Sequence, residues 1–175
     1  VAREIAGLLG VSFDENNYEN KIKEVTETDL KIEVTSPLCR RYVGRIVRNV
    51  KVGPSPVWLR DLLASIGQRS INNIVDISNF IMFDLGQPVH TFDLDKLESH
   101  KLIIRKANEG EEIELLGFEK TDGADKERRA MLSQKELVIA DEKEAVVIAG
   151  VKGGKKAEVD NNTRNIVIEV ANFDP

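Results

Sequence analysis

The sequence has little of what several large function classes require. It holds one cysteine, Cys39, so no internal disulfide can form and no zinc cluster can be built from thiolates. A reducing, cytoplasmic setting is expected. There are two histidines, His90 and His100, and His90 has no partner at metal-ligand spacing. No apolar run approaches the ~18 to 20 residues of a membrane span, and no signal peptide is recognisable. Basic charge is also short: 25 Lys and Arg stand against 30 Asp and Glu, for a net charge of -5. A mainly electrostatic nucleic-acid binder is usually basic, so any nucleic-acid contact should be local; neither a membrane nor DNA is expected as a partner. There is no G-x-S-x-G, no H-E-x-x-H and no paired-carboxylate signature, and neither an internal repeat nor a low-complexity tract.

What is present suits a globular core. Hydrophobic residues make up 41% of 175 positions, enough for one domain with a scrap of another. The chain opens at Val1 and stops at "ANFDP" after an apolar run, and is expected to be a piece of a longer polypeptide. "VAREIAGLLG" places Val1, Ile5, Leu8 and Leu9 at helical spacing, with Gly10 as a stop. The polar stretch that follows reads as a linker. Residues 1–28 are therefore expected to be the tail of a preceding domain, and 29–175 the domain proper.

The alternation in "LKIEVTSP" and "RYVGRIVRNVKV" predicts two strands. "GPSPVWLRDLLASIG" predicts a helix capped by Ser55, with Pro56 in its first turn and Trp58, Leu59, Leu62, Leu63 and Ile66 on its apolar face. A second helix is predicted over "SINNIVDISNFIMFDLG", with Ser70 as cap and Ile71, Ile74, Val75, Ile81, Met82 and Leu85 on one stripe. Ser78 shares that stripe, and Asn79 lies beside it. Gly86 and Pro88 end the helix. "FDLDKLES" reads as a short helical piece. "KLIIRKA", "EEIELLG", "ELVIAD", "AVVIAGV" and "NIVIEVANF" read as strands, and 117–134 as a mobile loop. Strands, two helices, then a run of strands predict an α+β fold with mostly antiparallel or mixed sheets packed on two central helices.

Few residues stand out as candidates for chemistry. His90, just past a helix, is equally a turn histidine or a site residue on local grounds. His100, in "ESHK", reads as an exposed loop residue. Ser78 and Asn79 interrupt an apolar face; such a pair often bonds backward along its own helix, or it can aim a hydroxyl and an amide into a pocket. "IAGVKGG" lacks the spacing and trailing Lys-Ser/Thr of a P-loop and reads as a bulge or a backbone-lined pocket wall. Glu169 is the sharpest oddity, a carboxylate inside an apolar strand. It either faces solvent or is buried with a donor, because an unpaired buried charge is costly. Cys39 has basic neighbours that could lower its pKa, yet no clear base accompanies it, and it reads as structural.

Together these segments resemble one family. "SINNIVDISNFIMFDLGQPVHTFDLDKL" is similar to the signature region of the editing domain of the bacterial phenylalanyl-tRNA synthetase beta subunit. "PLCRRYVGRIV", "ELVIAD", "AVVIAGVKGG" and "NIVIEVANFDP" match the same domain in the family's order, and "VAREIAGLLG" resembles the end of the preceding segment. The resemblance implies hydrolysis of tyrosine mischarged onto phenylalanine tRNA. A phenylalanine pocket cannot strongly reject an isostere that only adds a hydroxyl, so a second site must check. By residue match, Glu169 would recognise the tyrosine hydroxyl and His90 would sit beside the scissile ester. Ser78 and Asn79 would line the pocket as a catalytic pair, and Ala149, Gly150 and Gly153 would form a backbone wall. Ser78 stands where the family has threonine, so the hydroxyl is kept and the methyl group is absent. The 117–134 loop is longer than the family implies.

With no Ser-His-Asp triad, the expected nucleophile is a positioned water, with His90 accepting its proton or only orienting groups while a ribose hydroxyl assists. No metal or cofactor is expected in this piece. The resemblance assigns ATP and magnesium to the whole enzyme, with an alpha subunit in a hetero-oligomer of two alpha and two beta chains and the 3′ end of phenylalanine tRNA as the polynucleotide partner. The alternative is a catalytically silent scaffold that holds RNA or neighbouring subunit domains, in which Ser78, His90 and Glu169 would not share a cavity.

Overall fold

The computed structural model describes residues 2–13, 28–116 and 129–174. The expected linker lies almost entirely outside the described residues, as does most of the 117–134 loop.

The chain runs α1 (Ala2–Leu9), β1 (Lys31–Val34), β2 (Cys39–Val47), α2 (Val57–Ser65), α3 (Asn73–Leu85), β3 (His90–Asp93), β4 (Lys101–Lys106), β5 (Glu112–Glu114), β6 (Arg129–Met131), β7 (Leu137–Ala140), β8 (Ala145–Ile148), β9 (Lys152–Gly153) and β10 (Ile166–Phe173). The α+β prediction agrees with this order. Three sheets form among the described residues: a five-stranded sheet ordered β1-β4-β7-β8-β9, a three-stranded sheet ordered β2-β10-β3, and the ribbon β5-β6. β1 pairs parallel to β4, and every other ladder is antiparallel.

The period of two along each strand decides which sheet faces which. Phe92 and Val167 from the three-stranded sheet join Leu102, Ile104, Ile139 and Val147 from the five-stranded sheet in one core cluster. The alternate residues of β10, Ile166 and Ile168, turn to the other side and pack with Ile74 of α3. Val138, Ala140 and Ala145 pack against Ile113 of the ribbon on the far side of the five-stranded sheet.

Several local expectations are corrected. Neither Ser55 nor Ser70 caps a helix: Pro56 holds the N-cap position of α2 with no side-chain cap, and Asn72 caps α3 by accepting from the amides of Ile74 and Val75, both at 3.0 Å. Both serine hydroxyls instead donate to the carboxylate of Asp76, which also takes the Ile71 amide at 2.8 Å. Asp76 has no exposed surface, so it needs those donors more than the helix ends need caps. The β2 strand stops at Val47, before Asn49 at φ 58°. Phe92 and Asp93 of the "FDLDKLES" segment belong to β3, and only Leu94–Lys96 and Glu98–His100 coil, as 3-10 turns. Within the expected loop, Arg129–Met131 pairs with β5.

The apolar stripes of the helices are wider than the core they cover. Leu59 and Leu63 are buried, but Trp58, Leu62 and Ile66 of α2, Ile77, Phe83 and Leu85 of α3, and Ile5, Leu8 and Leu9 of α1 are exposed.

Candidate active site

α3 ends where the sequence says it must. Gly86 takes φ 72° at its C-cap and donates its amide to Met82 O at 2.9 Å, a left-handed turn that L side chains resist. The chain then leaves the helix and enters β3 at its first residue, His90. In the β3–β10 ladder His90 stands directly opposite Glu169. Opposed residues project to the same face, here the one turned toward the five-stranded sheet.

That face opens into a cavity of about 850 Å³. His90, Ala149, Gly150, Gly153 and Glu169 all line it. Glu169 lies deep, at 5% exposure, and His90 is half-buried. The imidazole packs edge-to-face on Phe92, with centroids 4.7 Å apart. Ala149 and Gly150 follow β8 in the turn to β9, where Val151 N donates to Ile148 O at 3.0 Å. Ala171 and Phe173, further along β10, extend the lining.

Gly153 has a steric reason to be glycine. A Cβ there would stand 3.0 Å from His90 Cε1 and 3.0 Å from Leu116 Cδ1. The missing side chain is what lets the histidine edge lie against the backbone wall. Gly153→Ala is expected to displace the ring and cost roughly 1 kcal/mol, the low end for overpacking, because a half-buried ring can give way. Thermal unfolding and the imidazole NMR resonances of the variant check this.

Ser78 and Asn79 are placed elsewhere. Neither lines the cavity. The Ser78 hydroxyl donates to Ile74 O at 3.1 Å, back along its own helix. The cause is the sheet: Ile74, one turn before Ser78, packs on Ile166 and Ile168, whose side chains alternate with that of Glu169. Ser78 therefore shares a stripe with residues covering the opposite face.

Burial sets the protonation of the two central groups. It pushes the Glu169 carboxyl up to about 8 and the His90 imidazole down to about 4. At pH 7 both are mainly neutral, because a low-dielectric site disfavours either charge. Among the described residues, Glu169 Oε2 is buried without a hydrogen-bond partner. Cys39 is buried too; its thiol contacts Arg41 O at 3.6 Å, and burial raises its pKa despite the neighbouring arginines. His100 sits away from the cavity, paired with Asp29 at 2.9 Å. Among the described residues no group of three or more His, Cys, Asp or Glu is placed to hold a metal ion, and no helix is long and apolar enough to cross a membrane.

Lys106, Lys135 and Lys152 also line the cavity, and sequence reading missed them. They come from three separate places in the chain, and no local pattern marks them as a set. Asp174, at the same rim, is paired with Arg40 at 2.7 Å.

Comparison with known proteins bears on this arrangement. The model of the B3/4 domain family matches residues 38–175. The chain belongs to that family. As a B3/4 domain it is similar to "Phenylalanine--tRNA ligase beta subunit" of Carboxydothermus hydrogenoformans, at 44% identity over 100% of this chain, and to that of Moorella thermoacetica, at 45% over 99%. The chain spans 21% of the length of each. Its fold is similar to that of an N-terminal fragment of the phenylalanyl-tRNA synthetase beta subunit from Pyrococcus horikoshii, with a TM-score of 0.57 at 14% identity, covering 85% of this chain and 44% of that one. The kinship with the beta subunit that the motifs indicate is shown by these matches.

Proposed function

We propose that this B3/4 domain is the editing domain of a phenylalanine–tRNA ligase beta subunit, spanning residues 29–175, and that it hydrolyses tyrosine esterified to the 3′ end of phenylalanine tRNA. The observation that carries the reading is the cross-strand pair His90 and Glu169 in one cavity, with a buried carboxylate oxygen lacking a partner. A phenolic O–H supplies a donor to that carboxyl group. Phenylalanine cannot, and it would leave the carboxyl unsatisfied at a cost of ~1–3 kcal/mol. A site built around a substrate hydroxyl rejects the analogue lacking it far more strongly than a site that merely tolerates one.

The reaction needs little from the protein beyond placement. A water oxygen attacks the ester carbonyl carbon, the bond to the ribose oxygen breaks, and that oxygen takes up the proton the water gives. His90, neutral and nearer the mouth than Glu169, accepts a hydrogen bond from the water, and a ribose hydroxyl assists proton transfer. The wall at Ala149, Gly150 and Gly153 holds the ester end against the histidine. ATP, magnesium, amino-acid activation and the alpha subunit belong to the whole cytoplasmic enzyme in this reading.

The lysines favour a substrate that carries phosphate. The chain is acidic overall, yet Lys106, Lys135 and Lys152 gather at this cavity. Removing Lys106 and Lys135 together is expected to raise KM for tyrosyl-tRNA several-fold. It should also flatten the salt dependence of binding, by up to ~0.7 in the log–log slope for each phosphate no longer neutralised, as for single strands. Steady-state kinetics across a salt series checks this. The reading as a whole is tested by incubating the purified chain with tyrosyl- and phenylalanyl-tRNA. Faster release of tyrosine is expected; equal release of both would overturn it.

One observation favours a second, concurrent role. The exposed apolar residues of α2 and α3 suit a face that packs on other parts of a larger protein. The wholly silent scaffold has less support, since His90 and Glu169 converge even though Ser78 does not.

A further inference from the structure

Among the described residues, two side-chain oxygens in the sheet that carries the site are buried without a partner: Glu169 Oε2 and the phenolic oxygen of Tyr42. Each orphan of this kind costs ~1–3 kcal/mol, so two neighbouring ones call for a reason. They are complementary, because a phenol donates and a carboxylate oxygen accepts. They also adjoin. In the β2–β10 ladder Glu169 stands opposite Gly44, and Ala171 opposite Tyr42. Tyr42 is therefore the diagonal neighbour of Glu169 on the same face, within reach of a long side chain.

The groups beside the pair from Leu30, Ile32 and Cys39 are apolar or engaged elsewhere. The space a Gly44 side chain would take is closed by the apolar ends of Leu30 and Ile32, each 2.9 Å from the Cβ position. Cys39 directs its thiol to Arg41 O. The Tyr42 ring packs on the core cluster. Burial raises its hydroxyl above the ordinary tyrosine range, and the charges of Glu169 and Cys39 act in the same direction. It remains a neutral donor throughout the working pH range.

We infer that Tyr42 is a positioning residue for Glu169: its hydroxyl donates to Oε2 when the cavity is occupied, turning Oε1 toward the hydroxyl of the ligand. The inference rests on the reading of Glu169 as the group that recognises that hydroxyl. Tyr42 does not line the cavity, so it acts through Glu169 and touches no substrate. With both bonds made, the carboxylate holds two donors at the cavity floor, and hydrogen bonds to the charged form favour it. The titratable groups facing Glu169 are Cys39 and Tyr42 from β2 and His90 from β3. Lys106, Lys135, Lys152 and Asp174 line the cavity around it.

Tyr42→Phe tests this, since it removes one oxygen and leaves the packing intact. KM for the tyrosyl ester should rise about 5- to 10-fold with kcat unchanged, and phenylalanyl-ester hydrolysis should not change. The pH midpoint of tyrosyl KM should move upward, because the ionised carboxyl has lost a donor. Thermal stability should hold or rise. An unchanged tyrosyl KM and an unchanged midpoint would overturn the inference, whatever the melting temperature does. Glu169→Ala, assayed in parallel, separates the two levels. If it abolishes the preference for tyrosyl ester and Tyr42→Phe does nothing, only the role of Tyr42 falls. If Glu169→Ala leaves the preference intact, the parent reading falls and the inference falls with it.

Discussion

Glu169→Ala is expected to erase most of the preference for tyrosyl over phenylalanyl ester, by ~10²-fold or more, because the discriminating bond is one that only a hydroxyl-bearing substrate makes. Hydrolysis of the phenylalanyl ester should rise, since that substrate no longer leaves a buried carboxyl unsatisfied. The same residue should also weaken the fold. Its carboxyl is held at about 8 against an ordinary 4.5, so the folded state binds the proton more tightly than the unfolded chain does. Stability from this group is complete below about 4.5, declines as pH rises, and is fully lost above about 8. Glu169→Gln keeps the shape without the titration. Its melting temperature should gain on the parent from pH 5 to about pH 8 and then level off, with parity near pH 4. Thermal melts across that range check the sign. A site that gives up stability for function in this way is common in enzymes.

His90→Ala carries the second large expectation: kcat for tyrosyl ester should fall ~10²-fold with KM within a few-fold, because positioning and polar stabilisation of the water are lost while the cavity remains. The imidazole is held near 4, which makes it a weak proton acceptor at neutral pH and assigns it mainly the task of orienting the water. The active form is the neutral ring. The wild-type kcat should stay level from pH 8 down to about 5 and fall as pH drops through about 4. A rate that fell near 6.5 instead would place the working histidine in a solvated setting. Stability follows the same sign: the depressed value costs the fold as pH falls from 6.5 through about 4.

Much of this architecture can be read from local pattern. α3 has its stripe and its stop at Gly86, and β8 and β10 have continuous apolar runs of strand length. Glu169 is conspicuous because a carboxylate inside such a run must be at an edge or must be paired. The unreadable parts depend on contacts far apart in the chain. Ser55 and Ser70 resemble helix caps until Asp76 is seen between them. Ser78 looks like a pocket residue until the sheet separates its face from that of Glu169. The opposition of His90 to Glu169 is a register between strands that no local spacing encodes. The lysine rim and the Tyr42 diagonal have the same origin, being products of strand order. Trp58, Leu62 and Ile66 show the opposite error: helical periodicity marks an apolar face but does not say that this chain buries it.

One cavity is proposed to hold the ester beside His90 and the phenol against Glu169. A crystal structure with a non-hydrolysable tyrosyl-adenosine analogue tests it most directly. The phenolic oxygen is expected at hydrogen-bond distance from a Glu169 carboxyl oxygen, ~2.5–3.0 Å for an O–H donor, with the amide that replaces the ester lying between His90 and the Gly150–Gly153 turn. A phenol pointing to solvent, or an analogue bound outside this cavity, would contradict it.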